Sequence, residues 1–352
     1  MAEALKVGIL GAGGAGTAHA VAFSRLPDVE VTALCSRTRT RAEALAGRLG
    51  WPGIQVYDDW QALIERAEVD VISVTTPETL RRAPVALALA RGRHVLVEKP
   101  LSIDLADAQE IVRLAQDTDR VTATCFCWRY APGCQVAWRE VVQAGRIGRL
   151  LDVQMEVRFG LRPRQLLERW PWVADASTGL LGRAGSHEFD RARFLTGGEF
   201  ERLVGRVTPL SLSGEPEYVV PCGAYALLAD LAPDVLAWFR FTLTTGQPEW
   251  SQLVHGEEGT LQVTHTSVHR RRAGEDKAVL LEVPAADQIP EGVSLMQHVW
   301  NRLIADFITA VRQGDVAHAS VPHLPTLLDG LRTQEVIAAA RRSEEERRWV
   351  DL

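Results

Sequence analysis

A short apolar run, Leu-Lys-Val-Gly-Ile-Leu at residues 5–10, passes directly into Gly-Ala-Gly-Gly-Ala-Gly at 11–16 and then into a helix-compatible stretch at 17–23. No other part of the chain restricts the fold as much. A buried strand, a tight turn and a helix in this order give the pattern G-x-G-x-x-G its mechanical meaning. Gly11 permits the tight turn, Gly13 lets a pyrophosphate approach the backbone, and Gly16 lets helix and strand pack closely. The N–H groups that open the helix, with Ala12, Gly14 and Ala15 in the turn, then face an anion. The expectation is a dinucleotide-binding turn.

Apolar strand patterns follow at 29–35, 54–57, 69–74, 94–97 and 121–126, with helical patterns between them. That alternation implies a parallel, doubly wound sheet, whose ligands bind beyond the carboxyl ends of the strands. Strand ends are therefore where site residues are sought. At the second strand end, where an NAD-preferring turn carries an acid, stand Ser36 and Arg37. A hydroxyl beside a guanidinium suits a ribose 2′-phosphate, so NADP is expected over NAD, with Arg41 and Arg39 as possible additions to the patch. Thr75, Thr76 and Pro77 follow the fourth strand, and Glu98, Lys99 and Pro100 follow the fifth. Pro100 holds Lys99 extended and removes a backbone donor. The Lys99 ammonium is thereby expected to project toward a bound nicotinamide.

Composition narrows the alternatives. A length of 352 residues suits two domains, expected at 1–125 and 126–352, and a net charge of −6 argues against a nucleic-acid surface. No apolar stretch reaches the length of a membrane span, and the N-terminus leaves no room for a signal peptide, so a cytoplasmic protein is expected. Five cysteines without zinc-site spacing read as buried thiols, with no metal.

Several motifs together resemble the Gfo/Idh/MocA family of NAD(P)-dependent oxidoreductases. They are the glycine turn, Thr76-Pro77, Glu98-Lys99-Pro100-Leu101, Arg129-Tyr130-Ala131-Pro132, Gly145-Arg146-Ile147-Gly148, Gly185-Ser186-His187-Glu188-Phe189-Asp190 and Gly256-Glu257-Glu258-Gly259-Thr260. The resemblance implies an N-terminal Rossmann domain and a C-terminal α/β domain with a large, mainly antiparallel sheet. It implies that this sheet joins copies into a homo-dimer or homo-tetramer, and that the Lys99–Pro100 bond is cis. It further implies that Lys99 polarises the oxygen of a sugar or polyol substrate while His187 handles the proton. Three positions depart from the family pattern: Arg183 replaces the Asp four residues before His187, Arg81 replaces a frequent His, and Leu180 replaces a common glycine.

In the second half, strands are expected at 150–159, 202–209, 218–228, 235–244, 251–255 and 260–265, with a helix over 179–195 carrying Arg183 and His187. Residues 160–178, including Trp172, read as a loop whose aromatics either stack on a ligand or fill a core. Arg129, Asp190, Trp172 and Arg183 are the expected substrate contacts, with Arg183 offering a fork for a sugar acid. His265 to Arg272 reads as a hairpin edge with solvated charges. Two other functions stay open: a non-catalytic NAD(P) sensor, favoured by the missing Asp, and a redox-assisted glycosidase.

Overall fold

A computed structural model describes residues 3–160, 179–212 and 215–352. The chain divides into two compact units, one of residues 1–127 with 289–331, the other of 128–288 with 332–352. The first unit is thus discontinuous in sequence, because the later segment 289–331 returns to it.

The first unit is built on β1 (Leu5–Leu10), α1 (Gly14–Ser24), β2 (Val29–Cys35), α2 (Arg39–Leu49), β3 (Gln55–Tyr57), α3 (Trp60–Arg66), β4 (Val71–Val74), α4 (Arg82–Ala90), β5 (His94–Val97), α5 (Leu105–Gln116) and β6 (Thr122–Thr124). All six strands are parallel, in the order β3-β2-β1-β4-β5-β6. Central strands are mostly apolar because helices cover both faces, with Ser73 of β4 a buried polar exception. Every residue of β4 is buried, as are Val95, Leu96 and Val97 of β5. At about 1.5–3 kcal/mol for each fully buried Val, Leu or Ile side chain, this core fixes where the strand ends lie. The order reverses between β1 and β4, and the crevice at such a switch point is where a dinucleotide binds.

In the second unit, α6 (Pro132–Trp138) continues as a π-helical turn over Arg139–Gln143, where a single helix over 134–144 is expected from the sequence. Next come β7 (Leu150–Gly160), a π-turn at Leu181–Gly185 and α7 (Ser186–Thr196). Strands β8 (Phe200–Leu212), β9 (Glu215–Leu231), β10 (Val235–Thr242), β11 (Thr244–Gly256), β12 (Gly259–Val263), β13 (Val268–Arg272) and β14 (Val279–Leu280) complete most of a nine-stranded sheet. Several of these outrun their sequence patterns, because ladder pairing continues past the last alternating residue. Only β7 and β10 pair in parallel. On β10, Val235, Ala237, Phe239 and Phe241 are buried while Leu236, Trp238 and Arg240 point outward. Phe189 of α7 packs on the inner face, 5.1 Å from Phe239 and 6.1 Å from Tyr225 between ring centroids.

Helix α8 (Leu295–Gln313) belongs to the first unit, where Gln297 Nε2 donates to Ala18 O of α1 at 3.2 Å. Helix α9 (Leu327–Glu346) leads to β15 (Val350–Asp351), which pairs with β8 as the sheet's last strand. No helix among the described residues is long and apolar enough to cross a membrane.

Candidate active site

The glycine turn separates into two pairs by what surrounds each residue. Gly11 has φ +118°, and a Cβ there would lie 2.6 Å from Thr75 Oγ1; a Cβ on Gly16 would lie 1.9 Å from Gly11 O. Packing within the chain therefore requires both. Gly13 and Gly14 are exposed, and a Cβ on either would meet nothing within 4 Å. No neighbour in the chain demands their small size, which leaves room for a pyrophosphate to reach the backbone. Helices α3 and α5 are capped by Asp59 and Asp104, whereas α1 has neither a capping side chain nor an acidic residue in its first turn. Its opening N–H groups and positive dipole end thus suit an anion. Ala12 and Ala15 are half-buried within this turn.

Thr75 closes the crevice, its Oγ1 donating to Leu10 O at 2.9 Å and Gly11 O at 3.2 Å. Beside it, Thr76 Oγ1 is buried without a hydrogen-bond partner, and Pro77 begins a short turn over Glu78–Leu80. At the end of β2, Ser36 Oγ accepts from Thr38 N. Arg39 is committed to Glu43 at 2.8 Å, while Arg37 and Arg41 are exposed and make no ion pair among the described residues. The turn, the orphaned Thr76 hydroxyl and this basic strand end fit a dinucleotide.

Lys99 is half-buried at the carboxyl end of β5, and its bond to Pro100 is cis. Glu98 is buried, and its Oε2 accepts the Lys99 N–H at 3.0 Å. Its Oε1 lies 3.2 Å from His19 Nε2 and accepts from Trp300 Nε1 of α8 at 3.4 Å. His19 Nδ1 meets Ser73 Oγ at 2.8 Å, and Cys125 Sγ stands 3.5 Å from His19 Nε2. Burial pushes the Glu98 carboxyl up, but the His19 hydrogen bond and charge, with Lys99 and Arg81, outweigh it and hold the group down at about 2. His19, Glu98 and Cys125 are metal-ligand types within 4.8 Å of one another. Their contacts to each other, to Ser73 and to Trp300 link them in a buried hydrogen-bond relay. All five cysteines are free and buried, as expected, and burial raises Cys35 to about 12 and Cys134 to about 11.

Sequence reading missed His19 and Trp300. A lone imidazole on the buried face of an alanine-rich helix was a usable signal for the first. Nothing in the pattern of α8 marks Trp300.

In the second unit His187 is 7% exposed on α7, its ring edge-on to Trp128 at 6.4 Å. Arg183 lies in the π-turn rather than in a continuous α-helix. The repeat there is wider than 3.6 residues, so a separation of four falls short of a full turn. Arg129 and Asp190, both expected at the substrate, are buried and held to each other by two bonds, at 2.8 and 2.5 Å. Trp172 lies outside the described residues, as does most of the expected loop. The solvated-edge reading holds for Arg271 and Arg272, which are exposed on the β12–β13 hairpin, and is corrected at His265. The His265 ring stacks on Trp128 at 4.2 Å and meets Trp250 at 4.6 Å, and β13 has a neighbour on each side. Burial, helped by Arg191, lowers His265 to about 3. Trp250 Nε1 donates to Glu188, which also receives Gln252 and Arg191.

Residues 5–126 match the NAD-binding Rossmann-fold domain of the GFO_IDH_MocA oxidoreductase family, and residues 139–352 match that family's C-terminal alpha/beta domain. The chain belongs to the Gfo/Idh/MocA oxidoreductases. It is 30% identical over 313 residues to a dTDP-3,4-didehydro-2,6-dideoxy-alpha-D-glucose 3-reductase of Streptomyces violaceoruber, covering 88% of this chain and 86% of that one. An inositol 2-dehydrogenase of Arthrobacter sp. (strain FB24) is 27% identical over 251 residues, covering 70% and 71%. The solved levoglucosan dehydrogenase in complex with NADH and levoglucosan shares the fold, with a TM-score of 0.86 over 99% of both chains at 21% identity. The protein is thus an oxidoreductase of the sugar and polyol dehydrogenase type, on an NAD-binding fold.

Proposed function

We propose that this oxidoreductase moves hydride between NADP(H) and a CH–OH or carbonyl carbon of a sugar, polyol or sugar acid. The observation that carries the reading is Lys99. The chain has three lysines, Lys6, Lys99 and Lys277, among 39 Lys and Arg residues, and one of the three stands at the end of β5. An ammonium is a compact donor that can also titrate, and a guanidinium is not. When bound, the nicotinamide supplies or receives the hydride. Lys99 donates a hydrogen bond to the substrate oxygen and stabilises the negative charge that develops there. His187 takes the hydroxyl proton in oxidation and returns it in reduction. Arg183, a cation where the family's Asp is usual, favours substrates that carry an anionic group.

Ser36 with exposed Arg37 and Arg41 supports NADP over NAD. Titrating NADPH and NADH against intrinsic tryptophan fluorescence tests this. NADPH is expected to bind about tenfold more tightly, a difference of about 1.4 kcal/mol, and Arg37→Asp to reverse the order. Tighter binding of NADH by the unmodified protein rejects the NADP assignment.

The outer face of the nine-stranded sheet supports association with a second copy. Trp238 is 51% exposed there, opposite Gln154 of β7 and Leu228 of β9, and Leu236 is 39% exposed on the same strand. An exposed apolar group at the centre of a broad sheet is a feature of interfaces. Light scattering is expected to show a dimer or larger oligomer that Trp238→Glu dissociates. A mass unchanged by the substitution removes this face from the interface.

A further inference from the structure

Arg81 is buried, 5% exposed, in the turn that follows β4. Its Nε donates to Thr76 O at 2.9 Å, and its Nη1 donates to Glu98 O at 2.5 Å and to Pro100 O. Two of these carbonyls belong to the residues on either side of Lys99, and the third belongs to the loop after β4. From the side-chain direction, Glu98 Oε2 takes the Lys99 N–H. The peptide before Lys99 is therefore held from both sides by buried charged groups, its carbonyl by Arg81 and its N–H by Glu98, and Arg81 also holds the Pro100–Leu101 peptide that follows the cis bond. A guanidinium can do this because its donors form a rigid planar fork. An ammonium at the same place would serve fewer carbonyls, without a fixed plane.

We propose that Arg81 is a positioning residue for Lys99: it fastens the carbonyls that flank the lysine to the neighbouring strand end, so that the amine is presented from a fixed backbone. The inference rests on the reading of Lys99 as the group that meets the substrate oxygen. It concerns residues of the first unit alone, so it can be tested apart from turnover.

The small number of lysines supplies the test. Reductive methylation with 13C-formaldehyde leaves each lysine charged and titratable, and Lys6, Lys99 and Lys277 then give a spectrum simple enough to assign with Lys99→Arg. The Lys99 signal of the unmodified protein is expected apart from those of Lys6 and Lys277. In R81Q it is expected to move toward them, with a changed titration midpoint, and R81K is not expected to restore it. In parallel, NADP+ with levoglucosan and with myo-inositol serves as the turnover probe. R81Q is expected to lower kcat about 10- to 100-fold, as a misplaced reacting group does, while KM and the Kd for NADPH stay within about threefold. A Lys99 signal and midpoint unchanged in folded R81Q overturn the proposal, whatever the turnover. A Lys99 signal that moves in R81Q, when the unmodified protein turns over neither substrate, sustains the positioning role and counts against those two as substrates. If R81Q does not fold, R81K, which keeps the buried charge, gives the same two readings.

Discussion

Lys99→Met is expected to lower kcat by about 10²–10³-fold, the usual loss when one preorganised donor to a developing oxyanion is removed. The side chain keeps its length and apolar stem and loses only the ammonium. NADPH affinity, followed by tryptophan fluorescence, is expected to stay within about threefold, since an interaction made mainly in the transition state contributes little to ground-state binding. Lys99→Arg is the sharper variant. It restores charge but spreads it over a planar group too wide for the same position, and it is expected to recover less than about a tenth of the lost rate. Equal losses in cofactor affinity and in turnover would assign Lys99 to the dinucleotide cradle instead of the reacting oxygen.

The second large effect concerns acid stability. Glu98 is held at about 2 in the folded protein, against an ordinary carboxyl value of 4.5. A carboxyl depressed in this way contributes stability that is fully present above the unfolded value and is lost as pH falls from 4.5 toward 2. At 1.36 kcal/mol for each unit, the contribution is about 3 kcal/mol, a factor of more than about 100 in the folded-to-unfolded ratio. Glu98→Gln keeps the shape and an acceptor for the Lys99 N–H and removes the charge. Chemical denaturation is expected to show the variant less stable at neutral pH by up to that amount. Between pH 4.5 and pH 2 its stability is expected to fall less steeply, by the proton that Glu98 no longer binds. Parallel slopes for the two proteins would mean that Glu98 folds uncharged and that the His19 relay does not hold an anion.

The first sheet was legible because its central strands are buried on both faces, so β1, β4 and β5 read as nearly continuous apolar runs ended by polar or glycine residues. Gly11 and Gly16 announced themselves through spacing, and the structure shows the backbone contacts that demand them. The relay was less legible. Ser73, His19, Glu98 and Trp300 come from four distant parts of the chain, and only the parallel sheet and α8 bring them together. Arg81 was noted as a substitution, yet its three carbonyl partners depend on two loop conformations that no periodicity encodes. The polar stretch around His265 misled because residue types alone suggest solvent, whereas Trp128 and Trp250 enclose the ring. Residue type alone marks Arg129 and Asp190 as site candidates, and their buried ion pair, between residues 61 apart in the chain, is a contact that no local spacing announces.

The segment 289–331, which completes the first unit, also bears on the order of events during synthesis. Gln297 and Trp300 must reach Ala18 and Glu98 across 279 and 202 residues of chain, and Thr124 N donates to Pro325 O at 3.0 Å. The amino-terminal strands therefore leave the ribosome well before the helix that closes over them. Until that helix arrives, the side of α1 that carries Ala18 stays open, and Glu98 lacks its indole donor.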